Sequence, residues 1–396
     1  MKRAALNLIL VVTSLMIAVL GAELVLHWLI PRPGPHEVKL FYEHDDLLGW
    51  HLIPNEEGLL DDIEYSVHKK INSKCLRGPE WPYEKPSDNT YRILCIGDSY
   101  CEGYSVDLED LFEVQLERML NAGSEGTTFE VINGGTGGYS TDQELLFFET
   151  EGYKYHPDLV VLLVYYNDIA VNTQSDYWDT PKPMFVLKGN GELNLTNVPV
   201  PKPGVRTRSL WEWLDSNSRI YGFLADAISR IWGSCFGDPD ELPPMPPSYK
   251  EYIVFQRFPS RENLEAWRLM KALLNRLNTK VESAGAELLV FCIPFKGSVY
   301  RDEFEGLVRH WRVPRELCDP DRFRRDLAEA CAESSIQMID PQERFEREAA
   351  ILGDEGRRLY FPNDDHWTPE GNDLVAEILY DYINGRHANR VREQGD

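Results

Sequence analysis

Five short apolar runs punctuate the chain from Tyr91 onward, at 92–96 (RILCI), 129–132 (FEVI), 159–164 (LVVLLV), 287–293 (ELLVFCI) and 336–339 (IQMI). Each is continuous rather than alternating, the pattern expected of a strand covered on both faces. Between or after them lie stretches of helical periodicity at 108–121, 140–151, 262–283, 321–334 and 368–385. Strands alternating with helices predict an α/β fold, a doubly wound, three-layer α/β/α arrangement on a five-stranded parallel sheet. Residues 36–90 are polar and rich in turn formers such as Pro54, Gly58 and Pro79, and they predict a β-rich lead-in.

The alternation breaks once, at 172–250. That segment holds 10 of the 25 prolines and several aromatics, among them Trp178, Trp211 and Trp213. It is too aromatic for a plain linker and reads as an insertion packed over the carboxyl edge of the sheet, where ligands bind in such folds. The predicted organisation is an anchor at 1–35, the lead-in at 36–90, a main domain at 91–386 carrying the insertion, and a polar tail at 387–396.

The anchor rests on Ala4 to Ala22, an uncharged run that follows Lys2 and Arg3. At about 1.5 Å per residue its 19 residues span roughly 28 Å, close to the hydrocarbon thickness of a bilayer. Positive charge stays on the cytoplasmic side, so the bulk of the chain is expected beyond the inner membrane, on the periplasmic side. A cleaved signal peptide and a buried core helix are the rival readings of the same run.

Composition narrows the function. The chain is 43% hydrophobic and 11% aromatic, which rules out a disordered or fibrous protein. Its formal charge of −24 weighs against nucleic acid as a partner. Seven cysteines, an odd number, exclude a full disulfide framework, and Cys95 and Cys292 fall inside apolar runs where a small buried side chain is expected. No spacing suited to a zinc site occurs, and no metal or cofactor is called for.

Candidate chemistry sits where strands end. Gly97-Asp98-Ser99-Tyr100 follows the first run, placing a serine at a strand's carboxyl end. Asn133-Gly-Gly-Thr-Gly-Gly138 follows the second, and Asn167 follows the third. An asparagine there can cap a helix or aim its amide at a developing oxyanion. Asn363-Asp364-Asp365-His366 precedes Thr368-Pro369, a helix start with threonine at the cap and proline in the first turn. If the loop is extended, residues two apart share a side, so Asp364 reaches the His366 imidazole and Asp365 points away.

These blocks, in this order, resemble the SGNH (GDSL-like) hydrolase family. Tyr100 stands where the eponymous Leu is usual, Tyr165 where a Gly is frequent, and Cys75 where a Gly is expected in the lead-in of membrane-anchored bacterial members. Many members space the last block D-x-x-H, which would select Asn363. The D-x-H spacing here is similar to that of proteins of polysaccharide O-acetylation, such as those acting on alginate. The resemblance implies the flavodoxin-like SGNH fold with Ser99 as nucleophile, His366 as base and Asp364 as orienting acid. It also implies an oxyanion hole of the Ser99 and Gly138 N–H groups and the Asn167 amide. The implied activity is an extracytoplasmic serine esterase or O-acyl transferase on carbohydrate esters, with a small ester or acylated polysaccharide as substrate and envelope or exopolysaccharide machinery as possible partners. A catalytically inactive binding module and a lipase or lysophospholipase are the alternatives. The intact Ser99, Asn167, Asp364 and His366 count against the first, and the absence of a long apolar lid helix counts against the second.

Overall fold

The structure is a computed structural model and describes residues 41–124, 126–203, 252–311 and 313–394, with a few residues between 7 and 26. The chain divides into two units, Met1–His36 with Gly204–Pro244 and Glu37–Pro203 with Met245–Asp396. Everything below concerns the second. The predicted anchor lies almost wholly outside the described residues, as do Trp211 and Trp213. Among the described residues no helix is long and apolar enough to cross a membrane.

The lead-in forms two antiparallel hairpins, β1 (Tyr42–Asp45) with β2 (Gly49–Leu52), and β3 (Glu57–Asp61) with β4 (Ser66–Lys70). Leu52, Leu60 and Val67 join Phe41, Tyr65, Ile71 and Tyr104 in a small core of their own. Cys75, standing where a glycine was expected, has a left-handed backbone with φ +62°. Glycine would adopt that conformation without strain, which explains the expectation.

From Thr90 the alternation takes over. β5 (Thr90–Ile96) leads through α1 (Ser99–Glu102) and α2 (Phe112–Ala122) to β6 (Thr128–Asn133). Then come α3 (Thr141–Thr150), β7 (Leu159–Val164) and α4 (Tyr166–Val171). Two small hairpins follow, β8 (Asp176–Tyr177) with β9 (Thr180–Pro181) and β10 (Met184–Leu187) with β11 (Leu193–Thr196). The remainder runs α5 (Arg261–Ser283), β12 (Glu287–Cys292), α6 (Lys296–Val299), α7 (Arg301–Trp311) and α8 (Arg322–Glu333). It closes with β13 (Gln337–Ile339), α9 (Gln342–Asp354) and α10 (Pro369–Gln394).

The five predicted strands form one parallel sheet in the order β13-β12-β7-β5-β6. Every residue of β7, its central strand, is buried. Each such aliphatic side chain contributes about 1.5–3 kcal/mol when taken from water. The chain steps outward from β5 to β6 and then reverses to β7, so the direction of winding switches between β5 and β7. Right-handed crossovers then place the first connecting helix and the later ones on opposite faces. The packing agrees: α2 lies against β6 and α10, whereas α5 lies against α3, α8 and β12. The carboxyl ends of β5 and β7 are the crevice in which such sheets bind ligands.

Three readings need correction. The helix predicted at 108–121 is broken: Leu108–Asp110 is a short 3-10 turn, and Leu111 is extended so that it and Phe112 both drop into the core. Helices α7 and α9 were not foreseen. In α9 the buried Phe345, Ala349 and Leu352 do follow helical spacing, but charged residues between them dilute the stripe. The last helix continues to Gln394 and takes in most of the predicted polar tail.

Candidate active site

Ser99 begins α1, directly beyond β5, with Asp98 as the cap: its carboxylate accepts the Tyr100 N–H at 2.9 Å. Gly97 is there for closeness rather than for an unusual turn. A Cβ on it would lie 2.8 Å from the Cys101 Cβ and 3.1 Å from that of Leu163. α1 is a single turn, and it ends at Gly103 in the left-handed region.

His366 comes from the loop before α10. Thr368 caps that helix, accepting the Gly371 N–H at 3.3 Å, and Pro369 opens it, as the sequence predicted. His366 Nε2 lies 2.6 Å from Ser99 Oγ, and its Nδ1 lies 2.5 Å from Asp364 Oδ1. The three predicted residues therefore form one hydrogen-bonded line across 267 residues of sequence.

The structure brings Asp364 to His366, but not for the reason given from the sequence. The segment before His366 is a run of bends, not an extended strand. Asp364 reaches the imidazole because its Oδ1 also accepts the His366 N–H at 2.8 Å, an Asx turn that curls the loop around the carboxylate. Asp365 faces elsewhere, its carboxylate 4.0 Å from Lys296 Nζ. Asn363 is held by Glu64, which accepts both its backbone N–H at 2.8 Å and its amide at 3.2 Å.

Burial pushes the Asp364 pKa up, but His366, the hydrogen bonds from it and the Tyr65 hydroxyl outweigh burial and hold the carboxyl well below the usual range. Burial likewise lowers the His366 pKa, and the Asp364 charge more than compensates, leaving it above the ordinary value. Beneath the loops, burial raises the pKa values of Asp98, Glu144 and Asp168.

Gly138 has φ +76°, a conformation that favours glycine, and Trp50, Tyr177 and Trp178 line the space a Cβ would take. The loop before it is anchored by Glu102, which accepts the Gly137 N–H at 2.7 Å, and by the Trp50 indole, which donates to the Gly137 carbonyl at 2.9 Å. Asn167 lies within α4 rather than capping it; Asp168 accepts the Tyr165 N–H instead, at 3.2 Å. The Asn167 amide makes a long 3.4 Å contact to the Tyr177 hydroxyl, and its Oδ1 is buried with no hydrogen-bond partner. Ser99, Gly138 and Asn167 thus follow β5, β6 and β7 on the carboxyl side of the sheet.

Residues 257–395, which include Asp364 and His366, match the family described as ALGX, the SGNH hydrolase-like domain of acetyltransferase AlgX. Over that stretch the chain is similar to the SGNH hydrolase-like domain that the description names. The chain is also similar, at low identity, to several solved structures. One is the lipase/acylhydrolase from Enterococcus faecalis, at 14% identity and TM-score 0.38, covering 75% of this chain and 96% of that one. A catalytic mutant of Axe2, an acetylxylan esterase from Geobacillus stearothermophilus, matches at 11% identity and TM-score 0.37, covering 73% and 92%. The acetyl xylan esterase AlAXEase matches at 12% identity and TM-score 0.38, covering 74% and 99%. No curated protein matches the chain.

The sequence missed several residues that build this site. Tyr65, from the turn joining β3 and β4, donates to Asp364 Oδ2 at 2.8 Å. Tyr100 donates to the Asp365 carbonyl and packs against His366 at 5.1 Å. The available signal was the pair of departures from the family pattern. Tyr100 and Tyr165 are ring neighbours at 4.7 Å, so one tyrosine occupies space that the other's replacement of a smaller residue reshapes.

Proposed function

We propose that this chain is a serine acyl-ester enzyme, an esterase or O-acyl transferase acting on carbohydrate esters. The observation that carries the reading is the 2.6 Å approach of Ser99 Oγ to His366 Nε2, with Nδ1 engaged by a carboxylate. In that arrangement Nε2 accepts the hydroxyl proton as Ser99 Oγ bonds to the acyl carbon. The carbonyl oxygen gains the negative charge and is received by the Ser99 and Gly138 N–H groups and the Asn167 amide; each such donor is worth about 3–4 kcal/mol. Collapse breaks the bond to the alcohol, which takes the proton from the imidazolium. Water or a sugar hydroxyl then attacks the acyl-serine, giving its proton to Nε2, and Ser99 is regenerated with that proton. Asp364 keeps the imidazole in the required tautomer and stabilises its cation.

The similarity of 257–395 to an acetyltransferase domain supports acetyl as the acyl group. The uncharged run Ala4 to Ala22 supports attachment to the inner membrane with the domain on the periplasmic side, and with it a partner in envelope or exopolysaccharide assembly.

A fluorophosphonate probe tests the nucleophile. The full chain is expected to be labelled at Ser99, and Ser99→Ala to abolish both labelling and turnover of a small acetyl ester while the protein stays folded. Turnover by Ser99→Ala above about a tenth of wild type would point to another nucleophile, because losing such a serine costs several orders of magnitude.

A further inference from the structure

The dipeptide Tyr177-Trp178 touches two of the three groups proposed to receive the oxyanion. Tyr177 is buried, and its hydroxyl takes the long contact from the Asn167 amide. Trp178 stacks on the Tyr177 ring at 4.4 Å and 22°. A Cβ on Gly138 would meet Trp178 Cζ3 at 3.2 Å, so the indole edge lies over that glycine. Yet Trp178 is 65% exposed, a large apolar surface left open beside the site.

Its backbone makes the placement more telling. Trp178 and Asp179 are the two residues of the β8–β9 turn, and both have positive φ, +47° and +61°. Such turns favour Asn-Gly, and a bulky residue in this region is an outlier that surrounding structure has to enforce. The hairpin is enforced: the neighbouring Lys182 is fully buried on Asp142 at 2.5 Å, and Asn197 donates to the Lys182 carbonyl at 2.6 Å. A strained position thus carries an exposed indole where asparagine or glycine would be easier, and where burial gains little.

Resting on the acyl-ester reading above, we infer that Trp178 is the platform of a subsite on which a neutral pyranose ring of the acylated saccharide stacks. The apolar C–H face of a pyranose matches an open indole, and an ester oxygen on that ring would then lie near Gly138 and Ser99. The turn and its strands, Asp176 to Pro181, contain two aspartates and no basic residue, within a chain of charge −24. A polyanionic saccharide is disfavoured by that field, and a neutral one is not.

The test uses protection of Ser99 from the fluorophosphonate by acetylated xylo-oligosaccharide, in the full chain and in Trp178→Asn. Asparagine tolerates positive φ, so the variant is expected to fold with an equal or higher melting temperature. Its half-protecting saccharide concentration is expected to rise at least tenfold, and Trp178→Phe to recover most of the loss. An unaltered half-protecting concentration overturns the inference. So does a loss confined to the labelling rate without saccharide, which would make Trp178 a brace for Gly138. Equal or better protection by an acetylated oligouronate overturns the neutral class. Absence of labelling in the wild type instead overturns the acyl-enzyme reading. The subsite is then judged by the change in intrinsic fluorescence on adding xylo-oligosaccharide, which Trp178→Asn is expected to abolish; no such change in the wild type overturns the inference too.

Discussion

Replacing Asp364 by asparagine separates the two jobs proposed for this carboxylate, fixing the tautomer of His366 and stabilising its cation. Oδ1 accepts two N–H groups, the His366 backbone at 2.8 Å and the ring Nδ1 at 2.5 Å. An amide must therefore place its oxygen there, leaving Nδ2 toward the Tyr65 hydroxyl, which can turn from donor to acceptor. The tautomer survives and only the charge is lost. Two unit charges about 4 Å apart at an effective dielectric of about 20 attract by about 4 kcal/mol. At about 1.4 kcal/mol per tenfold, Asp364→Asn should lower kcat on a small aryl acetate by roughly a thousandfold. Adding Tyr65→Phe removes the acceptor for Nδ2, lets the amide turn over, and should cost about tenfold more by admitting the wrong tautomer. The pH–rate profile supplies a second reading. The base works only when neutral, so activity falls as pH drops through the His366 pKa, which Asp364 holds above 6.5. In Asp364→Asn the largest charge opposing burial is gone and only the weaker pull of Asp98 and Asp365 remains, so the acid limb should move to lower pH. An Asp364→Asn enzyme within tenfold of wild type, or an Asp365→Asn enzyme more damaged than it, would refute the assignment.

Two further outcomes are expected. Glu102→Gln leaves Lys69, fully buried and 2.5 Å from the lost carboxylate, as an unpaired charge, and should destabilise the protein by about 3–5 kcal/mol. Calorimetry reads this directly, and a loss under about 1 kcal/mol would show that the pair carries little of the stability. For the proposed anchor, protease added to spheroplasts should digest the domain beyond residue 35; a protected carboxyl-terminal tag would reverse the topology.

The sheet was legible because its inner strands are buried on both faces, and burial writes itself as unbroken apolar runs such as Leu159–Val164. Ser99, Gly138, Asn167, Asp364 and His366 were legible as short blocks whose order fits one edge of that sheet, and the structure brings Ser99, His366 and Asp364 into contact. What failed was local geometry. Side-chain alternation chose Asp364 over Asp365 for a loop that is not extended, and the Asx turn that does the choosing leaves no periodic trace. Tyr65, Glu64 and Trp50 were invisible for another reason. They belong to hairpins whose sequence says only turn and strand, and their partners lie 299, 299 and 87 positions away.

Those separations have a consequence for the timing of synthesis. Ser99 and the hairpin that carries Tyr65 are made early, whereas His366 follows Ser99 by 267 residues, with Asp364 just before it. A partly made chain holds a serine with no base beside it, and a tyrosine hydroxyl with no carboxylate to meet. On the proposed reading, reactivity therefore switches on only once Asp364 and His366 have been made and have docked beside Ser99, and an acyl ester met before then is safe from this serine.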